Sequence, residues 1–229
     1  MSKKTEKQKT ALVLRSCNAD MSSRNGFVWP DVGEVAECPD WKPIAECGNG
    51  LHGWLYGQGD HDCSNYLSAD SKWLVVEVVL ADVVMLGGKC KFPRGAVKFI
   101  GTMTEAAAYL REHEPLAREV AVIGATINVG EKQSAIAGAL ATLTGADGCT
   151  LTGTDYCTLT GGYRCTLTGA DYCTFTAGDN SEIRASYWDK KSERRRTVIG
   201  YVGEDGLQPG VAYQLDENHK FIAVKEDVK

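Results

Sequence analysis

The chain has 229 residues, 43% of them hydrophobic and 24% charged, proportions that exclude a disordered, collagen-like or coiled-coil protein. Twenty-five basic residues against 30 acidic ones give a net charge of −5, too negative to grip a phosphate backbone, so no nucleic-acid partner is expected. The departure from average is local: of nine cysteines, four fall between Cys149 and Cys173.

Residues 1–10 read as a solvated basic tail. The apolar stretch Ala11–Leu14 is interrupted by Arg15 and makes no secretory core. Runs such as Leu74–Val76 and Val78–Val84 are broken by Glu77 and Asp82 and are too short to cross a bilayer. The expectation is a cytoplasmic protein with reduced thiols and no membrane segment.

Residues 11–124 mix strand and helix patterns, an α+β domain. Trp73–Leu80 reads as a strand, and Ala81–Leu86 as another ending at the Gly87-Gly88 turn; Ala96–Ile100 is a third. Thr102-Met-Thr-Glu105 has capping-box spacing, Ala106–Leu110 are good helix formers, and Pro115 stops the run. Gly87-Gly88 and Phe92-Pro-Arg-Gly95 lack phosphate-loop glycine spacing and read as turns.

Two constellations stand out here. Cys38, Cys47, His52, His61 and Cys63 lie within 26 residues and offer zinc ligands, but their spacing matches no compact zinc knuckle, so neither metal nor other cofactor is expected. Cys47-Gly-Asn-Gly-Leu-His52 reads either as a structural turn with a locally bonded imidazole or as a turn presenting His52 at a cleft. In the second case His52, Trp54, Tyr56, Asp60 and Arg94 make a pocket for a nucleotide-like ligand, with the arginine on phosphate and an aromatic ring on the base.

From Ala141 the chain is periodic. Cys149-Thr-Leu-Thr-Gly recurs at Cys157 and Cys165 and, as Cys-Thr-Phe-Thr-Ala, at Cys173. The apolar centre steps by eight through Leu143, Leu151, Leu159, Leu167, Phe175 and Ile183, a solenoid signature. Ser134–Gly138 reads as an earlier, slightly mis-spaced turn, and Ala125-Thr-Ile-Asn128 as one before it. Period-two alternation puts Cys and Leu on one face of each strand and the two Thr on the other. Burying the Thr hydroxyls unpaired would cost roughly 1–3 kcal/mol each, so Leu and Cys face inward.

An eight-residue coil leaves little interior, hence two octads per coil. The reading is mainly β: an α+β domain, then a short β-helix of about three 16-residue coils at 125–185, then a small β cap at 186–229. Cys149 then stacks on Cys165 and Cys157 on Cys173 about 4.8 Å apart, outside disulfide reach, as free thiols filling apolar space. Outward, the pairs Thr142/Thr144, Thr150/Thr152, Thr158/Thr160, Thr166/Thr168 and Thr174/Thr176 form a hydroxyl lattice of roughly 6.6 by 4.8 Å. In the last repeat Glu182-Ile-Arg184 replaces Thr-x-Thr, a capping substitution.

At these residues the repeat resembles the octad-based coils of bacterial ice-nucleation proteins, with Cys in place of their Ser. Tyr187-Trp-Asp-Lys190, Arg195-Arg-Thr-Val198, Gly203-Glu-Asp-Gly206 and Ala212-Tyr213 are similar to the C-terminal cap of those proteins. Residues 12–112, through Gly26-Phe-Val-Trp-Pro30, Cys47–Gly53, Lys72–Glu77 and Phe92–Gly95, resemble an uncharacterised phage and prophage domain, which implies a phage-type gene acting in a host cytoplasm.

Three functions follow as expectations. The first is a non-enzymatic binding protein whose solenoid self-associates, as a homo-oligomer, and displays the N-terminal domain to a host protein or nucleotide-like ligand. The second is a nucleotide-processing enzyme in the N-terminal domain, of ADP-ribosyltransferase type; the third is ice binding by the Thr ladders.

Overall fold

The computed structural model describes residues 8–224, so the first seven residues of the expected basic tail lie outside it. The chain divides into two compact units, Met1–Val122 and Ile123–Lys229.

Unit 1 holds the strands β1 (Thr10–Cys17), β2 (Val35–Glu37), β3 (Leu51–Leu55), β4 (Lys72–Val79), β5 (Val84–Met85), β6 (Cys90–Phe92) and β7 (Arg94–Gly101), and the helix α1 (Met103–His113). They form one antiparallel sheet in the order β2-β7-β4-β1-β3-β6-β5. The central strands β1 and β4 are buried on both faces, which explains their nearly unbroken apolar sequences. Leu74, Val76 and Val78 join Val13, Cys17, Trp29, Phe92 and Val97 in one core. Leu12, Leu14, Trp73 and Val75 alternate to the other face, and α1 packs on β1, β4 and β7 with Ala106, Ala107 and Leu110 fully buried.

The capping box at the start of α1 forms as its spacing requires: Thr102 Oγ1 accepts from Glu105 N, and Glu105 Oε2 accepts from Thr102 N at 2.9 Å. The strand expected over residues 81–86 shrinks to two residues, because Leu80–Asp82 closes a single helical turn.

Unit 2 is a β-solenoid. Its strands β8 (Thr126–Val129), β10 (Thr142–Gly145), β12 (Thr158–Gly161) and β14 (Thr174–Ala177) stack in parallel as one sheet. The alternate strands β9 (Ser134–Ile136), β11 (Thr150–Thr152), β13 (Thr166–Gly169) and β15 (Glu182–Asp189) stack as the second. Every rung advances by sixteen residues, the expected two octads per coil.

There are about four coils, however, not three. Ser134 pairs with Thr150 and Thr126 with Thr142, in perfect register. The turn at residues 134–138 is regular rather than mis-spaced: Ala135 fills the Leu position, and Ile136 stands in the outer Thr position, half exposed. Reading Ile as the inward residue shifts the frame by one, which inverts the faces of a strand.

At the C-terminal end, β16 (Arg194–Tyr201) runs antiparallel along all of β15. There β17 (Ala212–Leu215) pairs with β14, and β18 (Phe221–Ala223) with β17. This closes both sheets with antiparallel strands, the usual way to cover an open solenoid edge.

Inside, Leu143, Leu151, Leu159, Leu167, Phe175 and Ile183 are buried, as are Cys149, Cys157, Cys165 and Cys173, while the ten Thr of the lattice are exposed or half exposed. All nine cysteines are free. The inward ones do more than fill space. Each thiol donates to a carbonyl nineteen residues earlier, Cys149 to Gly130, Cys157 to Gly138, Cys165 to Ala146 and Cys173 to Thr154, at 2.8–3.2 Å. Cys165 and Cys173 also accept from the backbone N–H of Cys149 and Cys157, each at 3.3 Å.

Ser181 occupies the same slot one rung on, accepting from Cys165 N and donating to Gly162 O. The residue before each such position, at 132, 140, 148, 156, 164, 172 and 180, is left-handed with φ between 54° and 70°. Only Gly148 and Asn180 favour that conformation; at Tyr156, Arg164 and Tyr172 the bonds of the cysteine that follows hold the corner against about 1–2 kcal/mol of strain apiece.

Candidate functional site

Two surfaces carry chemistry, one in each unit. In unit 1 a cavity of about 650 Å³ opens beside the start of β3. Its wall is built by Arg15 of β1, by Phe27 and Trp29, by the 47–52 turn and by Tyr66 and Lys89. The 47–52 turn is held from beneath by Lys91, which has no solvent exposure: its Nζ donates to Glu46 O at 2.8 Å and Gly48 O at 3.0 Å and lies 5.5 Å from the Trp41 ring. That pairing with carbonyls is how a buried ammonium is tolerated.

Of the five residues expected to form the pocket, only His52 lines it. Its Nε2 accepts from Gly48 N at 3.4 Å, and burial, with the cations Lys89, Arg15 and Lys91 nearby, lowers its pKa to about 4. The imidazole is therefore neutral and engaged with its own turn, the structural reading of that motif. Trp54 is buried, stacked on Trp73 with ring centres 5.7 Å apart, and donates to Asp60 O at 2.9 Å. Tyr56 sits in a left-handed turn with its N–H on Leu12 O, and Asp60 caps the turn at residues 61–63. Arg94 lies exposed on β7 opposite Glu37 of β2. Trp54, Tyr56, Asp60 and Arg94 thus serve packing, turn and surface roles and are not among the residues that line this cavity.

Cys38, Cys47, His52 and Cys63 line the same cavity, but among the described residues the only group of three or more metal-ligating side chains with its atoms within 4.8 Å of one another is the consecutive Asp60, His61 and Asp62. Cys38 donates to Asp40 Oδ1 at 3.1 Å, and burial pushes the thiols of Cys38 and Cys63 upward, away from the thiolate a metal needs.

The cavity's principal residue is Arg15, which sequence reasoning registered only as an interruption of an apolar strand. Its guanidinium lies 5.5 Å from the Trp29 ring centre and 5.6 Å from that of Tyr66, and Nη1 donates to His52 O at 3.2 Å. Burial lowers its pKa, and no carboxylate among the described residues is paired with it. The signal available in the sequence was a lone basic residue inside Ala11-Leu-Val-Leu-Arg-Ser-Cys17, a strand otherwise apolar enough to be central.

On unit 2 the Thr columns are in exact rung register: Thr142, Thr158 and Thr174 with Thr144, Thr160 and Thr176 on one sheet, Thr150 and Thr166 with Thr152 and Thr168 on the other. The first array is bounded by Thr126 and Asn128, the second by the ion-paired Glu182 and Arg184. Beside them runs an exposed aromatic row. Tyr156 and Tyr172 stack with centres 4.8 Å apart and are 47% and 72% exposed. Arg195 bridges Asp171 at 3.0 Å and Asp155 at 3.7 Å, and pairs across β15/β16 with the half-exposed Trp188.

A family model described as a domain of unknown function (DUF7666) matches residues 11–111. An ice nucleation protein of Pseudomonas fluorescens is 39% identical over 109 residues, 47% of this chain and 9% of that protein. Ice nucleation protein InaU of Pantoea ananas is 37% identical over 109 residues, 47% of this chain and 10% of its own length. That of Xanthomonas campestris pv. translucens is 39% identical over 109 residues, 46% of this chain and 7% of its own. The chain thus spans a tenth or less of these curated relatives. No solved structure gives a significant match. Residues 125–229 resemble the repeat and C-terminal cap of bacterial ice-nucleation proteins, and residues 12–112 resemble a domain whose function is not assigned.

Proposed function

We propose that unit 2 is a self-associating scaffold and that unit 1 is the binding half it displays, in a phage-type protein acting on a small ligand or host factor. The carrying observation is the exposed stack of Tyr156 on Tyr172, with Arg195 ion-paired to the adjacent Asp155 and Asp171 and the exposed Trp188 opposite Arg195. Large rings left this exposed beside an ion-paired network support reading this face as an interaction surface. A repeat that is regular along its axis offers the same rings to a second copy, which favours a homo-oligomer.

The test is sedimentation velocity of the full chain and of a Tyr172→Ser, Trp188→Ser double variant. The reading expects an oligomer that the double variant reduces to monomer, with the Thr158→Ser variant unchanged. A wild-type monomer at all concentrations would remove self-association.

Ice binding remains a second reading, favoured by the in-register Thr columns and by the ice nucleation proteins among the relatives. An ice-recrystallisation assay on the full chain decides it: inhibition that a Thr158→Lys, Thr160→Lys variant loses would support the reading, and no inhibition would end it.

A further inference from the structure

Two residues that line the cavity of unit 1 carry donors that none of the described residues uses. Arg15 Nε and Trp29 Nε1 are fully buried and have no hydrogen-bond partner among the described residues. They sit on neighbouring groups, Arg15 Cζ lying 5.5 Å from the Trp29 ring centre, and both residues line the same cavity. An unmade buried hydrogen bond is expensive, and the partly buried Arg15 cation without a counter-charge adds to the cost.

The carboxylates on the cavity wall do not supply that charge. Asp40 accepts from Asn49 Nδ2 at 2.6 Å and from the Cys38 thiol, and Asp62, largely exposed, lies 3.3 Å from His61 Nε2. The remaining charged wall residues, Arg24 and Lys89, are cations, and His52 is held neutral. Water would satisfy the two N–H groups but not the charge. An anionic oxygen satisfies both, and the free Nε edge of a guanidinium is the edge that grips carboxylate or phosphate in a fork. Around it stand Phe27, Trp29 and Tyr66, with Phe27 and Trp29 packed edge to face at 5.4 Å, and about 650 Å³ is room for a compact organic molecule.

We propose that this cavity binds a small organic anion, its phosphate or carboxylate on Arg15 and the Trp29 indole N–H and its body among the aromatic rings. The inference rests on unit 1 being the binding half and specifies what it binds. It uses none of the solenoid, so it stands or falls apart from self-association.

The direct probe is the Trp29 indole N–H resonance of the ¹⁵N-labelled full chain, assigned by its loss in Trp29→Phe and titrated with AMP, adenosine, benzoate and inorganic phosphate. The proposal expects AMP or benzoate to shift that resonance saturably, with AMP identifying a phosphate ligand and benzoate a carboxylate. It expects Arg15→Gln to weaken binding about tenfold or more, the worth of a charged hydrogen bond. It further expects ligand-free Arg15→Gln to melt no lower than wild type, because a partly buried cation with no counter-charge among the described residues is removed.

Adenosine shifting the resonance as strongly as AMP, regardless of Arg15, would keep unit 1 as a binding domain but overturn the anion. Inorganic phosphate binding as tightly as AMP would overturn the aromatic seat. Silence from all four probes would overturn both the anion and the binding reading. A lower melting temperature for Arg15→Gln with binding unchanged would make Arg15 structural and overturn the proposal.

Discussion

Single residues set the corners of the solenoid. The inward cysteines act as hydrogen-bonding side chains, shown by Ser181 making the same two bonds in the same slot. Cys173→Ser should therefore cost less than about 1 kcal/mol, whereas Cys173→Val, which orphans Cys157 N and Thr154 O, should cost about 1–3 kcal/mol in chemical denaturation. Equal costs would return the cysteines to plain filler, the role their size and sequence context suggested.

A second residue effect concerns acid. The His52 pKa falls to about 4 in the folded state from an ordinary 6.5, so between those values the unfolded chain binds a proton that the folded chain does not. Stability is then full above pH 6.5 and declines as pH falls toward 4. Discounted for the partial exposure of the ring, the loss is on the order of 1 kcal/mol. His52→Gln should flatten this limb of a denaturation series run from pH 7 to 4.

At the level of elements, the strand-end glycines and the cysteines are one packing unit. A Cβ at Gly161 would lie 2.8 Å from Cys165 Cβ and 3.0 Å from its Sγ, too close for any side chain. One coil on, Ala177 occupies that strand-end position, and the residue four further along is Ser181 rather than Cys. Gly161→Ala should destabilise by about 1–3 kcal/mol, and adding Cys165→Ser should recover part of it in a double-mutant cycle. Strict additivity would disprove the coupling.

The same elements show what was legible. Inside and outside assignments could be read because a hydroxyl pair and an apolar pair alternate without exception from Thr142 to Thr176, and only one choice buries no lone hydroxyl. The first coil was blurred because Ala135 and Ile136 exchange the expected sizes, and β-strand register is carried by backbone bonds that composition does not report. The helix α1 was legible through Thr102 and Glu105, a signal wholly local to four residues.

Across the whole molecule, the repeat could be found from sequence and the cavity could not. A solenoid repeats its contacts at fixed separation, while Arg15, Trp29, His52 and Tyr66 meet only because the antiparallel sheet of unit 1 folds distant segments onto one side. Trp54, Tyr56 and Asp60 are near His52 in the chain, yet the fold places them in a tryptophan stack, a left-handed turn and a cap.

The narrow solenoid interior also makes a global prediction. Leu159→Asp puts an unpaired carboxylate at a position with no exposure and should abolish cooperative melting of unit 2, while Thr158→Ser leaves it within about 0.5 kcal/mol. Circular dichroism on both variants checks this.

Native mass spectrometry of the freshly purified full chain tests the scaffold and the binding cavity in one spectrum. The expected result is a multimer, with a small-molecule mass retained by wild type and absent from Arg15→Gln. A bare monomer in every preparation would contradict it.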